Sequence, residues 1–282
     1  MRLSVITDEI SNDLDHALDV CESMDVRTVE LRTVGDTNVV SHDMESLARI
    51  KALLDRRGFD VCAVAAPLFK CHLHGDGAPR GDTHSAVPAS REKQWGLLER
   101  SFEVARLLGT DLVRAFSFWR VPDPRSVRGE VAAVLAEAAG RAGAAGVRLT
   151  LENEHECNVA TGAEAGWMLA RIPPPAFGAI WDPGNEARMG SSPYPEGYGH
   201  VRGRILHVHL KDVDVEGGWT KVGTGVIHYP GQLRALAESG YAGALSLETH
   251  YTIPEGGAEG ATRESVEALR ALCGVAGVEL KA

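Results

Sequence analysis

Eight short apolar runs, each followed by a segment of helical periodicity, succeed one another along the chain, and this alternation limits the fold more than any other feature. The runs at 3–7, 28–31, 61–67, 112–118, 147–151, 178–181, 205–210 and 244–247 are rich in Val, Ile, Leu and Phe and read as strands. The segments at 13–24, 44–57, 92–108, 127–142, 163–171, 195–202, 231–238 and 262–272 read as helices. In the first of these Leu14, Ala17, Leu18 and Cys21 recur at three- and four-residue intervals, and in the second Leu47, Ile50, Leu53 and Leu54 share a face. Gly58 and Gly109 stand where a helix end takes a left-handed residue.

Strands that alternate with helices run parallel and are joined by right-handed crossovers. Eight such units suit closure into a (β/α)8 TIM barrel. An open doubly wound sheet is the competing architecture, but no Gly-x-Gly-x-x-Gly fingerprint follows the first strand. The 282 residues fit one barrel spanning 1–282, and no Pro/Ser-rich linker divides them. Residues 70–89, with Gly, Pro and the histidines His72, His74 and His84, read as a long loop after the third strand.

Charge and cysteine usage exclude several classes. The formal net charge is −10 and no basic run occurs, so nucleic acid is not expected as a partner. Five scattered cysteines without a Cys-x-x-Cys pair suggest neither a disulfide framework nor a zinc ribbon, and fit a reducing cytoplasm. The amino terminus enters a strand-like run without a signal peptide's apolar core, and no apolar stretch approaches the ~20 residues of a membrane helix. A cytoplasmic protein with a small-molecule partner is the expectation.

In a barrel of this type the chemistry lies at the C-terminal ends of the strands. The last four strands end in Glu152, Asp182, His209 and Glu248, each delivered at the same relative depth by an apolar run. Three carboxylates and an imidazole are costly to gather unaided, because like charges raise one another's pKa. A divalent cation reverses that cost. Oxygen-rich ligands with one nitrogen favour Mn²⁺ or Mg²⁺, with Co²⁺ or Zn²⁺ also compatible. Taken singly, each residue has an ordinary structural explanation: an N-cap, a turn at Asp182-Pro-Gly, or a core histidine at His207 or His209. Four such coincidences in four consecutive strands weigh for the metal. Further inward positions are candidate substrate contacts: Glu30 and Arg32 on the second strand, Arg114 on the fourth, and His155, Asn185 and Lys211 beside the ligands.

Leu-Glu152-Asn, Trp-Asp182-Pro-Gly-Asn185, His207-Val-His209-Leu-Lys211-Asp212, Gly223-Thr-Gly225 and Ser-Leu-Glu248 together resemble the xylose-isomerase-like barrels of the sugar phosphate isomerase/epimerase superfamily. The resemblance covers essentially the whole chain. It implies one divalent metal on Glu152, Asp182, His209 and Glu248, with the second histidine of His-x-His as the ligand. It also implies that Glu152 and Glu248 act as acid and base through a metal-stabilised cis-enediolate, in an isomerase or epimerase of a sugar, sugar phosphate or related polyol ketone. Barrels of this kind often pair, so a homo-oligomer is compatible. Asn185 departs from the ketose 3-epimerases, which carry a histidine there, and this speaks against epimerisation of free ketoses at carbon three. The alternative on the same scaffold is a dehydratase resembling the inosose and dehydroshikimate dehydratases. A phosphodiesterase of the endonuclease IV kind would need extra ligands such as His72 and His74 and is disfavoured by the charge. A non-catalytic binding protein is the remaining class, weakened by retention of all four ligands.

Overall fold

The computed structural model describes residues 1–75 and 90–281. Eight parallel strands close a barrel: β1 (Arg2–Ile6), β2 (Thr28–Leu31), β3 (Asp60–Leu68), β4 (Leu112–Ala115), β5 (Arg148–Glu152), β6 (Phe177–Trp181), β7 (Ile205–Leu210) and β8 (Ala244–Leu247). Each strand pairs with its neighbours in sequence, and β8 pairs with β1 in the register Ser4↔Ser246. The expected TIM barrel is therefore the observed fold. Nine helices occur among the described residues: α1 (Leu14–Ser23), α2 (Met44–Arg57), α3 (Arg91–Leu108), α4 (Pro124–Ala144), α5 (Gly162–Leu169), α6 (Pro183–Arg188), α7 (Tyr198–Val201), α8 (Tyr229–Glu238) and α9 (Gly257–Ala276).

Local chemistry sets these boundaries. Asp13 and Asp43 accept backbone N–H groups at the starts of α1 and α2, and Thr161 and Glu164 form a reciprocal capping box on α5. Gly58 and Gly109 end α2 and α3 at φ of 68° and 80°, the left-handed region their lack of a Cβ permits. Four expectations shift. Strand 112–118 stops at Ala115, because Phe118 turns at φ 62°, although Phe116 and Phe118 still donate to the Leu68 and Phe69 carbonyls. Helix 195–202 is an irregular turn over Pro193–Gly197 followed by the single turn of α7. The last helix begins earlier and ends later than 262–272. The six-residue α6 was not foreseen. Of the expected loop at 70–89, residues 76–89 lie outside the described residues, His84 among them.

Two layers of side chains follow from strand alternation. Outward residues such as Val5, Val29, Val113, Leu149, Trp181, Val208 and Leu247 are fully buried against the helices and make the apolar core. The inward residues are unusually polar. Ser246 Oγ donates to Ser4 Oγ at 3.1 Å, Ser4 Oγ lies 3.2 Å from Cys62 Sγ, and Thr150 Oγ1 donates to the Val113 carbonyl. Such a lumen is tolerable because its members satisfy one another. It places hydrogen-bonding groups directly beneath the C-terminal mouth.

Candidate active site at the C-terminal mouth

Glu152 is the last residue of β5, His209 lies within β7, and Asp182 and Glu248 directly follow β6 and β8. Their exposures are 1%, 0%, 0% and 2%, and one ligand atom from each lies within 4.8 Å of the others. The four residues expected from the sequence are thus brought together. Ligands on opposite sides of a small divalent ion with ~2.1 Å bonds stand about 4 Å apart, so the set is close to the spacing such an ion needs.

Asp182 is fixed from three directions. Asn153 donates through Nδ2 to the Asp182 carbonyl at 2.7 Å and accepts the Asp182 N–H through Oδ1 at 2.9 Å, which extends the β5–β6 pairing by one residue. Its Oδ1 caps α6 by accepting the Asn185 N–H at 2.9 Å, so the ordinary N-cap explanation is also true of this residue. Gly184 lets this turn lie flat on β7, since a Cβ there would fall 2.5 Å from Lys211 Cγ. The second oxygen, Oδ2, has the Lys211 ammonium 2.8 Å away, but the approach is not aligned as a hydrogen bond, and no other donor reaches it. A buried carboxylate oxygen without a donor is what a cation would satisfy.

Opposite charge surrounds the acids. Lys211 Nζ donates to Glu248 Oε2 at 2.6 Å, Arg32 donates to Glu248 Oε1 at 2.7 Å, and Arg114 donates to Glu152 Oε2 at 3.2 Å. Burial pushes all three carboxyl groups up. His209 and Arg114 nevertheless bring Glu152 below the usual range, and Lys211 and His250 bring Glu248 well below it. For Asp182 burial prevails over Lys211, and its pKa stands at about 6. His209 loses basicity through burial but is held well above the ordinary imidazole range by Glu30 and Glu152. Ligation needs the neutral ring, so metal binding here would release a proton.

The two ring nitrogens of His209 have distinct surroundings. Nδ1 lies 3.3 Å from Glu152 Oε1 and 3.5 Å from Glu248 Oε2, while Nε2 lies 3.1 Å from both oxygens of Glu30. In the neutral ring with Nε2 donating to Glu30, Nδ1 would turn its lone pair to the acidic cluster. Glu30, expected to touch substrate, is 0% exposed and has its oxygens on His209 and on His207 Nε2 at 2.7 Å, facing away from the mouth. Arg32 is likewise committed, donating to Asp8, Glu9 and Glu248 from 3% exposure. Arg114 spends further donors on the Ala65 and Ala66 carbonyls.

His155, Asn185 and Lys211 do line an open cavity of about 310 Å³ above the acids, together with Lys70, Glu154 and Trp219. His155 Nδ1 lies 2.9 Å from Asn185 Oδ1 and 2.8 Å from Glu154 Oε1, and Asn185 Nδ2 donates to Glu152 Oε1 at 3.3 Å. A larger depression of about 1020 Å³ opens at the opposite, N-terminal mouth. It is lined by strand starts such as Arg2, Asp60, Leu112 and Ala244, at the end of the barrel away from Glu152, Asp182, His209 and Glu248, and its Arg148 is already paired bidentately with Asp111. Chemistry rather than size locates the site. Asp212 does structural work beside it: its carboxylate accepts the N–H groups of Gly223 and Gly225, where a Cβ on Gly225 would meet Asp212 Oδ1 at 2.3 Å.

Sequence reasoning overlooked Glu9, Asn153, Trp219 and His250. His250 lies 3.3 Å from Glu9 and 3.3 Å from Glu248, and its ring faces Trp219 at 5.5 Å. Glu9 and His250 both follow strand ends, so the rule that found the other four applied to them as well. His72 and His74 join no metal-competent group among the described residues; His74 instead meets Glu130 on α4. No described helix is long and apolar enough to cross a membrane.

No curated protein matches the chain. Among solved structures it is similar to a D-tagatose 3-epimerase-like protein (TM-score 0.74, 17% identity, covering 98% of each chain). It is also similar to the IOLI protein with a bound zinc atom (0.73, 19%, 96% of this chain and 98% of that one). A third is the probable 3-DHS dehydratase AsbF of Bacillus anthracis (0.72, 14%, 96% and 99%). The chain spans only 42% of a xylose isomerase-like TIM barrel/4-hydroxyphenylpyruvate dioxygenase fusion protein that it also resembles. At these identities the likeness establishes the fold. The family model described as xylose isomerase-like TIM barrel matches residues 18–272, and the chain belongs to that family.

Proposed function

We propose that this protein is a divalent-metal-dependent isomerase or epimerase acting on a sugar, sugar phosphate or related polyol ketone. The observation that carries the reading is the convergence of Glu152, Asp182, His209 and Glu248 at the mouth, where Asp182 Oδ2 has the Lys211 ammonium beside it but accepts no aligned hydrogen bond. A cation on these ligands, Mn²⁺ or Mg²⁺ before Co²⁺ or Zn²⁺ by donor type, would act as a Lewis acid toward a substrate carbonyl and its neighbouring hydroxyl.

The protein's own groups then handle the proton. Against burial, His209 and Arg114 hold the Glu152 carboxyl below the usual range, and Lys211 and His250 hold that of Glu248 well below it, so both start as bases. One removes the proton from the carbon beside the carbonyl and keeps it, and the other, after taking up a proton from solvent, delivers that proton to the substrate. Return to the opposite face of the same carbon epimerises; return to the neighbouring carbon isomerises. Asn185 orients Glu152 by its 3.3 Å hydrogen bond, and Lys211 orients Glu248. The likeness to an epimerase-like structure supports the class.

One observation favours a lyase as the second reading. Burial pulls His155 down, but Glu154 raises its pKa above the usual value, which favours the protonated form of an imidazole on the cavity wall. Such a group can protonate a departing β-hydroxyl, and a dehydratase is among the similar structures. The test is common to both. Protein stripped with chelator and refilled with Mn²⁺ is incubated with a sugar and polyol-ketone panel in D₂O. Deuterium on the carbon beside the carbonyl is expected, and a product lighter by one water assigns the lyase. Absence of exchange across the panel removes both.

A further inference from the structure

The strongest unexplained group near the mouth is Lys70. Its side chain is 4% exposed, it follows β3, and its ammonium lines the 310 Å³ cavity. The stem is buried, but the ammonium opens to the cavity, where its three donors can meet solvent or a ligand. Among the described residues its ion-pair partner is Glu154, whose Oε2 is 3.7 Å away, beyond hydrogen-bonding distance. The remaining contacts are ring faces: Phe116 at 4.7 Å and Trp119 at 5.6 Å from the ammonium. Aromatic faces stabilise a cation without consuming its N–H groups. The other buried lysine of the cavity, Lys211, differs because both Asp182 and Glu248 meet it within 2.8 Å. Glu154, for its part, gives its Oε1 to His155 at 2.8 Å.

From this ammonium, which opens to the cavity and is hydrogen-bonded to no described residue, we infer that the substrate is an anion, a polyol ketone bearing a carboxylate or phosphate that Lys70 receives. Trp219, half-buried on the same cavity wall, has the Lys211 ammonium 5.1 Å and the Arg188 guanidinium 4.7 Å from its ring, so further positive charge borders the cavity. The inference rests on the proposed function only in taking this cavity as the substrate's seat. A cavity of 310 Å³ is at the small end for ligand sites, which suits a molecule of sugar-acid size.

Binding rather than turnover tests it. The metal-loaded full chain is titrated with D-gluconate, D-glucose 6-phosphate and neutral D-sorbitol, by calorimetry or ligand-observed NMR. One of the two anions is expected to bind at least tenfold more tightly than sorbitol, and which one it is separates carboxylate from phosphate. Lys70→Met should erase that preference while leaving sorbitol unchanged, and Lys70→Arg should keep most of it. Equal binding of neutral and anionic probes overturns the inference. So does no anion binding at millimolar concentration, or a Lys70→Met variant that weakens all probes alike, the mark of a structural lysine. Gluconate binding that survives Lys70→Met is chelation by the metal and also overturns it. Metal affinity, measured separately, reports failure of the proposed function independently.

Discussion

Replacing Glu30 by Gln tests the metal reading without touching a ligand. In the wild type both carboxylate oxygens serve two imidazoles, with His207 Nε2 at 2.7 Å and His209 Nε2 at 3.1 Å. A glutamine keeps the shape but offers one acceptor for two ring N–H groups. Either His209 loses its partner, or its ring takes the tautomer that puts Nδ1–H toward the ligand cluster. One charge-assisted hydrogen bond in a buried setting amounts to about 1.5–3 kcal/mol. At about 1.4 kcal/mol per decade, metal affinity should fall roughly 10–100-fold, the range typical of lost outer partners of ligating histidines. Competition with a chromophoric chelator for Co²⁺ or Zn²⁺ reads this directly, and thermal unfolding of the metal-free protein checks integrity. A folded Glu30→Gln variant that binds metal as tightly as wild type would refute the assignment of His209 Nδ1 as a ligand atom.

Two further outcomes follow from the charges. Lys211→Met removes the ammonium between Asp182 and Glu248 and leaves buried acids uncompensated, a loss of about 3–5 kcal/mol. Urea unfolding should show that loss in chelator and less than half of it in saturating Mn²⁺; equal losses in both would mean that lysine and metal do not share these carboxylates. Glu186, 3% exposed with a Gly162 N–H on its Oε2, is pushed up to about 7 by burial. Because the folded state then holds a proton the unfolded chain gives up near pH 4.5, its contribution is full at low pH and is lost as pH rises through 7. Glu186→Gln should therefore stabilise by about 2–3 kcal/mol at pH 8 and by little at pH 4, read as thermal midpoints across that range. A uniform shift at both pH values would contradict the burial argument.

Most barrel elements were legible because period and punctuation agree in them. The apolar face of α2, its Asp43 cap and its Gly58 stop all point the same way. The short pieces were not legible, since α6 and α7, of six and four residues, are too brief to carry a period. The convergence of Glu152, Asp182, His209 and Glu248 was readable because strand ends fix both depth and direction. What lies beyond a strand end depends on how the chain turns. Phe69, Phe118 and His250 take φ of 59°, 62° and 57° just past β3, β4 and β8, and a non-glycine residue in that region gives no sequence warning. Lys70 reaches the mouth through the turn at Phe69, which the sequence does not announce, whereas His250, three residues past β8, lay within reach of the strand-end rule. Glu30 was placed on the correct face, but parity does not say whether an inward side chain looks up to the opening or sideways to a neighbour.

Arg32 has a consequence for the chain as a ring. From β2 it grips Asp8 and Glu9, which follow the first strand, and Glu248, which follows the last. It thus clasps the two ends of the sheet together just above the joint where β1 meets β8. The carboxylate nominated for acid–base work is also half of a buckle. An inert Glu248 variant should be examined for an opened hoop before its silence is credited to lost chemistry.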